Sequence, residues 1–328
     1  MGAYVARRIL WILPVMLMIS LITFVLMHNV PGGPWDAEKR LAPAVVENLN
    51  RRYNLDKPAW QQYLLFLAGT VRADLGVSYS NQDRPVAEVI RAGFPISATI
   101  GLIALCGALI VGISLGTVAG LKPNSAVDFV ALAFATAGAS IPSIVSGVLL
   151  IILFSLNLHW FPTGGWQSPE AAWDALRAGN VSGAGAGFWA FSSRIALPAL
   201  ALAFAPAALI ARVTRASVLE VTRQEFVRTA RAKGLAEMVV VGRHVLKNAM
   251  IPVITLAGPI GAELITGSFI VESIFGIPGL GRTFVQAVGA RDYALILGTT
   301  LFYAVLIALA NLLVDVLYGV VDPRIRYA

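Results

Sequence analysis

Phe226 to Leu235 reads FVRTARAKGL, three cations and a hydroxyl closed by a glycine, in a chain that is 57% hydrophobic and only 13% charged. Whether this stretch can enter lipid decides how the chain is laid out. Each Arg or Lys at a helix centre costs about 2.5–3.5 kcal/mol on insertion, so Arg228, Arg231 and Lys233 together would cost on the order of 8 kcal/mol. The stretch stays in water. The long apolar blocks on either side of it do not.

Those blocks set the class. A charged share of 13% over 328 residues is about half the ~25% of soluble chains, too little to clothe a water-facing surface. Six blocks approach or exceed the ~20 residues a spanning helix needs: 9–29, 97–121, 129–156, 195–213, 249–271 and 293–321. An all-α polytopic membrane protein is therefore expected. The run Ile9 to Met27 is longer than the ~7–15 residues of a signal-peptide core and lacks a small-x-small cleavage site, so it reads as a retained helix. The net charge of +7 fits basic inner loops rather than nucleic-acid binding. Cys106 is the single cysteine and reads as a small buried hydrophobe.

Between the first two blocks, 31–95 is polar on average and reads as an extracytoplasmic segment outside the lipid. It contains the PGGP turn at Pro31 to Pro34 and amphipathic helices near Ala42 to Tyr53 and Trp60 to Val71. The stretch 157–193 reads as a second non-membrane region with one helix near Pro169 to Arg177. Orientation follows from the short loops. With the N-terminus inside, inner segments hold thirteen cations, among them the eight from Arg212 to Lys247. The short outer loops hold four, Arg177, Arg194, Arg282 and Arg291. Both termini are expected to be cytoplasmic.

Two further patterns speak of packing. Gly112, Gly116 and Gly120 repeat every four residues, a smooth helix face that lets another backbone approach. Prolines interrupt the blocks at Pro142, Pro198, Pro206, Pro252 and Pro259, breaks tolerated where neighbouring helices or a wet cavity satisfy the freed groups. The basic stretch itself is built as a helix. Glu225 can pair with Arg228 one turn on, and Gly234 suits a helix end. Spacing alone leaves two readings open, a solvated basic loop or a docking helix for an inner partner.

At this point the residues resemble a known family. QEFVRTARAKGL with RHVLKNAMIPVIT, Gln224 to Thr255, is similar to the coupling-loop signature of permease subunits in ABC importers, in the variant of the dipeptide/oligopeptide/nickel branch. VPGGP (Val30 to Pro34), YNLDKPAWQQY and ADLGVSYS (between Tyr53 and Ser80), VESIFGIPGLGR (Val271 to Arg282) with Arg291, Asp292 and Tyr293, and DVLYGVVDPRIRYA from Asp315 agree in order along the chain. The general signature has an acidic residue and two alanines where this chain has Arg228, Thr229 and Ala230. Gly33 stands where an acidic residue is commoner.

The resemblance implies a type I ABC importer permease fold of six helices, divided as 1–30 (first helix), 31–95 (outer segment), 96–321 (core, with coupling loop 214–248) and 322–328 (tail). It implies a non-enzymatic permease of the prokaryotic inner membrane, of the B-type within a heterodimer. Its expected partners are a second homologous permease, two ATP-binding cassette subunits carrying ATP and magnesium, and an extracytoplasmic binding protein; no cofactor is expected on this chain, which lacks a G-x-x-x-x-G-K-[ST] loop. Glu225, Arg228, Thr229, Ala230, Arg231, Lys233 and Gly234 fall in the coupling helix and its end. Glu272 and Asp315 lie in family motifs and Glu263 in a block, so all three are pathway or gate candidates, set against interhelical hydrogen bonding. His28 and His159 read as interfacial packing, and no catalytic or metal-binding constellation is evident. An ion-driven secondary transporter or channel is the competing class; it would want an internal repeat and mid-bilayer charges. Peptides are the family's usual cargo.

Overall fold

The computed structural model describes the backbone of residues 2–35, 42–80 and 84–321, and the side chains of all of these except 2–6, 9 and 314–321. The Asp315 side chain and the 322–328 tail therefore lie outside the described residues.

α1 (Gly2–Asn29) follows the first apolar block and ends at the PGGP turn, where Gly32 takes φ 95°, a conformation cheap only for glycine. α2 (Pro43–Arg52) starts on proline and ends on Arg51 and Arg52, the polarity that helix ends favour. α3 (Ala59–Val71) is followed by α4 (Val86–Leu121). Ser125 caps α5 (Ala126–Ser140) by accepting the Asp128 N–H at 3.3 Å. Pro142 holds Ile141 extended and opens α6 (Ser143–Leu150), which continues as a π-helical stretch, Ile151–Asn157. α7 (Glu170–Arg177) precedes α8 (Val181–Thr222), capped by Asn180, and α9 (Glu225–Ala232). α10 (Glu237–Val239) passes through a π-helical stretch, Val240–Leu246, into α11 (Lys247–Ala249). α12 (Ile251–Thr266), α13 (Phe269–Ile274), α14 (Leu280–Gly289) and α15 (Tyr293–Val321) follow.

Among the described residues five stretches are long and apolar enough to cross a membrane: Leu10–Asn29, Val86–Leu121, Val181–Thr222, Ile251–Ile274 and Tyr293–Leu313. The sixth expected block is broken. Ala126–Ser140 and Ser143–Asn157 meet at 109°, because Pro142 removes a backbone donor and bars helix at the preceding residue.

α4 and α8 pack against each other over much of their length. The three spaced glycines supply the face: a Cβ at Gly112, Gly116 or Gly120 would come within 3.0 Å of atoms of Ala207, Ile210, Ala211, Arg215 or Val218 on α8. Ile100, Leu197, Ile210, Val271, Phe275 and Ile277 are buried in the main core beside this seam. A second core joins Val86, Ile90, Leu280 and Leu295, and a third joins Val218, Val227, Val240 and Val245.

Several expected boundaries move. α4 begins at Val86, so the end of the 31–95 segment is already helix. α8 spans 42 residues, ~63 Å at 1.5 Å per residue against a ~30 Å hydrocarbon core. It therefore takes in 181–193, expected outside the membrane, and 214–222, expected in the coupling loop. In both cases the residues that suggested a loop continue as helix. Within 31–95, α3 lies against α1: Tyr63 Oη lies 3.2 Å from the Leu17 carbonyl and 2.9 Å from Ser20 Oγ, near the middle of the first span. α3 is part of an uncharged run between Lys57 and Arg72. Cys106, expected to be buried, is exposed on α4, since the small-residue face of that helix and not the cysteine is turned to α8.

Candidate functional site

The basic stretch forms a short helix with two unlike faces. Val227 and Ala230 are buried against Val218, Val240 and Val245, so α9 is fastened to the bundle by its apolar side. Glu225, Phe226, Arg228, Thr229, Arg231 and Lys233 are exposed on the other. Arg228 Nη1 donates to Glu225 Oε1 at 2.9 Å, the pairing expected from spacing. Gly234 takes φ 74° just beyond the helix, as a C-terminal glycine should. Arg231 Nη2 donates to Glu237 Oε1 at 2.7 Å, tying the helix to the turn that follows it. That bond holds the Glu237 carboxyl below its ordinary range and raises Arg231. Ala230, grouped with the docking residues from sequence, faces the protein's own interior. Phe226, Leu235 and Met238 instead add exposed apolar surface around the cations, a feature that charge counting overlooks.

A groove runs where the bend between α5 and α6 meets α8 and α12. One part, about 530 Å³, is lined by Ser140, Pro142, Leu202, Glu263 and Ser268, among others. An adjoining part of about 320 Å³ shares Glu263 and Pro206 and adds Leu209 and Arg212. Small residues (Gly138, Ala139, Ala205) keep it open. The structure thus places Glu263 on a cavity wall. Arg212, counted from sequence as a loop cation, lines the adjoining part of the same groove from α8.

Glu272 is different. It is 2% exposed, accepting from Ser97 Oγ at 2.6 Å and from the Arg282 N–H at 2.8 Å. This geometry is an interhelical hydrogen-bond hub. Asp292, which sequence matched only to a motif, is a second one: it accepts from Ser78 Oγ at 2.6 Å and from Ser80 N at 3.0 Å, and caps α15 through Leu295 N at 3.1 Å. The ADLGVSYS and Arg291–Tyr293 stretches therefore meet in space. Nearby, the rings of Trp35, Tyr53, Tyr79 and Tyr293 pack together with His28. Burial, reinforced by Asp292, pushes the Tyr79 phenol above its ordinary range. His28 joins this packing through the Tyr293 ring, centroids 5.0 Å apart, and its Nε2 meets Gln62 Oε1 at 3.2 Å. Among the described residues no His, Cys, Asp and Glu cluster fits a metal ion.

A further pair escaped the sequence reading. Arg215 on α8 donates to both oxygens of Asp128 at the start of α5, one of the two bonds measuring 2.8 Å. The sequence reading passed over Asp128, and nothing local points from it to a partner 87 residues away.

Residues 112–327 match the family described as binding-protein-dependent transport system inner membrane component, and residues 1–101 match its N-terminal companion. The dipeptide transport system permease protein DppB of Bacillus subtilis is 39% identical over 326 residues, 99% of this chain and 98% of that protein. The oligopeptide transport system permease protein OppB of Escherichia coli K12 is 38% identical over 324 residues, 99% of each. In fold, the chain is similar to one of the inward-facing MetNI methionine ABC transporter, with TM-score 0.54 at 18% identity, covering 72% of this chain and 97% of that one. A chain from an amino acid ABC transporter gives 0.51 at 15% identity, covering 70% and 93%.

Proposed function

This chain belongs to the family of binding-protein-dependent transport system inner membrane components, and from that premise we propose that it forms half of an ATP-driven import pathway for di- or oligopeptides. The cargo follows from the full-length similarity to dipeptide and oligopeptide permeases. An extracytoplasmic binding protein delivers the peptide, a second related permease supplies the other half, and two ATPase subunits drive the cycle. Both termini are cytoplasmic.

The observation that carries the coupling is α9: fixed underneath by Val227 and Ala230, free above at Phe226, Arg228 and Lys233. A helix held this way transmits a push instead of absorbing it. Exposed cations give directional, charge-assisted contacts to an acidic groove, and Phe226 and Met238 give area. The push reaches the bundle through Val218 on α8, the helix that also forms one wall of the groove. ATPase closure biases the two openings of the pathway because it binds the two states differently.

Reconstitution in liposomes with the partner permease, the ATPase subunits and the loaded binding protein tests the reading. ATP-dependent uptake of a labelled peptide is expected, abolished when the ATPase is inactivated. Uptake that continues with an inactive ATPase and follows a proton gradient would establish the secondary-transporter class instead.

A further inference from the structure

Arg212 and Arg215 sit one turn apart on α8 and are used differently. Arg215 is held by Asp128. Arg212 is exposed and lines the groove with Glu263. Glu263 is exposed as well, near the middle of the Ile251–Ile274 span. Among the described residues neither side chain enters an ion pair.

A charge facing hydrocarbon in the middle of a span, where Glu263 stands, would cost about 2.5–3.5 kcal/mol on the insertion scale. Facing a wet pathway, both Glu263 and Arg212 stay hydrated. The rest of the lining they share is apolar and mostly small: Gly138, Ala139, Ala205, Pro206, Leu209 and Ile260. It offers room but no third charge. One anion on α12 and one cation on α8, in one otherwise apolar groove, complement a ligand with the reverse arrangement.

Resting on the reading of this groove as the peptide pathway, we propose that Glu263 and Arg212 recognise the two ends of a zwitterionic peptide, Glu263 taking the α-ammonium group and Arg212 the α-carboxylate. The small residues of the shared lining accommodate the varied side chains of the cargo. Each contact is partly solvated, and a pathway needs such weakness, since cargo must leave as readily as it arrives.

The test uses the assembled importer in liposomes with a tripeptide in three forms: unblocked, N-acetylated and C-amidated. Uptake is measured against the concentration of binding protein already loaded with each peptide, so the binding protein's own preference cancels. Glu263→Gln is expected to lower kcat/KM about tenfold, the loss of one contact worth about 1.4 kcal/mol, for the unblocked and C-amidated forms. The N-acetylated form should change less than about twofold. Arg212→Gln should spare the C-amidated form instead. Glu263→Asp and Arg212→Lys keep the charge and should restore the preference. Equal losses for all three peptides, or none for any, would overturn the inference while leaving the peptide importer standing. Failure of the unsubstituted importer to accumulate any of the three would overturn the pathway reading and this inference with it.

Discussion

Ser97 on α4 and Glu272 on α13, 175 positions apart in sequence, share a buried 2.6 Å hydrogen bond. Ser97 Oγ also accepts the Leu280 N–H at 2.8 Å, and the second Glu272 oxygen accepts the Arg282 N–H at 2.8 Å. One carboxylate and one hydroxyl thus hold the IFGIPGLGR turn against two helices. The glycines around it make room: a Cβ at Gly267 or Gly279 would fall within 3.0 Å of the carboxylate.

This knot separates a structural role for Glu272 from a gating one. Glu272→Ala leaves the Ser97 O–H and the Arg282 N–H without their acceptor, at about 1–3 kcal/mol for each group. A clear drop in the melting temperature of the purified protein is expected, with non-additive losses when Ser97→Ala is combined. Abolished transport in Glu272→Gln with an unchanged melting temperature would make Glu272 a gate residue after all.

The seam between α4 and α8 gives a matched pair of substitutions. A Cβ at Gly116 would come within 3.0 Å of Ala211 and Thr214, whereas one at Gly107, on the same helix, meets nothing within 4 Å. Gly116→Val should destabilise by about 1–3 kcal/mol through overpacking. Gly107→Ala should be neutral or stabilise by up to about 1 kcal/mol. Thermal unfolding of the two variants checks both; similar melting temperatures would mean that the helices can slide apart at little cost.

The seam was legible in the sequence because its signal is local: glycines four apart mark one helix face whatever the neighbour. The same holds for the helix end at Gly234 and for the Glu225–Arg228 pair. Pro142 announced a break but not a turn of 109°, because the angle is set by packing on α8. Asp128–Arg215, Ser97–Glu272 and Ser78–Asp292 join residues between 87 and 214 positions apart, and no periodicity connects them. The groove was half legible. Glu263 stood out as a charge in an apolar block, but Arg212 was concealed among the loop cations because α8 runs farther than its apolar run.

On α9, stability and docking can be read separately. Arg228 and Glu225 are 69% and 84% exposed, and such surface pairs contribute about 0.2–1 kcal/mol at most. Arg228→Glu should leave folding almost unchanged yet reduce co-purification of the ATPase subunits. Exchanging both charges, Glu225→Arg with Arg228→Glu, restores the pair within the helix but not the outward pattern, so coupling should stay lost. Recovered coupling in the exchange variant would reduce the role of Arg228 to its own helix.

The Arg231–Glu237 bond makes a pH prediction for the same loop. Glu237 has its carboxyl pKa lowered on folding by Arg231. Its stabilising contribution is therefore present above the unfolded value, about 4.3, and lost as pH falls through the folded value. The protection this pair gives the 231–239 amides, corrected for intrinsic exchange rates, should therefore be constant between about pH 6 and 8. Glu237→Gln should loosen those amides across that range; loosening that appears only under acid conditions would contradict the assignment.

Tyr63 reaches Leu17 and Ser20, and Leu17 lies ~18 Å from the Asn29 end of α1 at 1.5 Å per residue. That is more than half of a ~30 Å hydrocarbon core. Trp60, Leu64 and Leu65 of α3 are exposed, and we predict that these side chains meet acyl chains. A cysteine at Leu64 or Leu65, in a Cys106→Ser background, should resist a membrane-impermeant maleimide, while cysteines at Asp56 and Arg72 react freely. Tyr63→Phe removes the anchoring bonds, worth about 0.5–1.5 kcal/mol, and should raise labelling at Leu64 without exposing the span itself. Labelling at Leu64 as fast as at Asp56 in the otherwise unchanged chain would put α3 in water, and the contact with Leu17 would then have to come from an α1 that stands well clear of the bilayer.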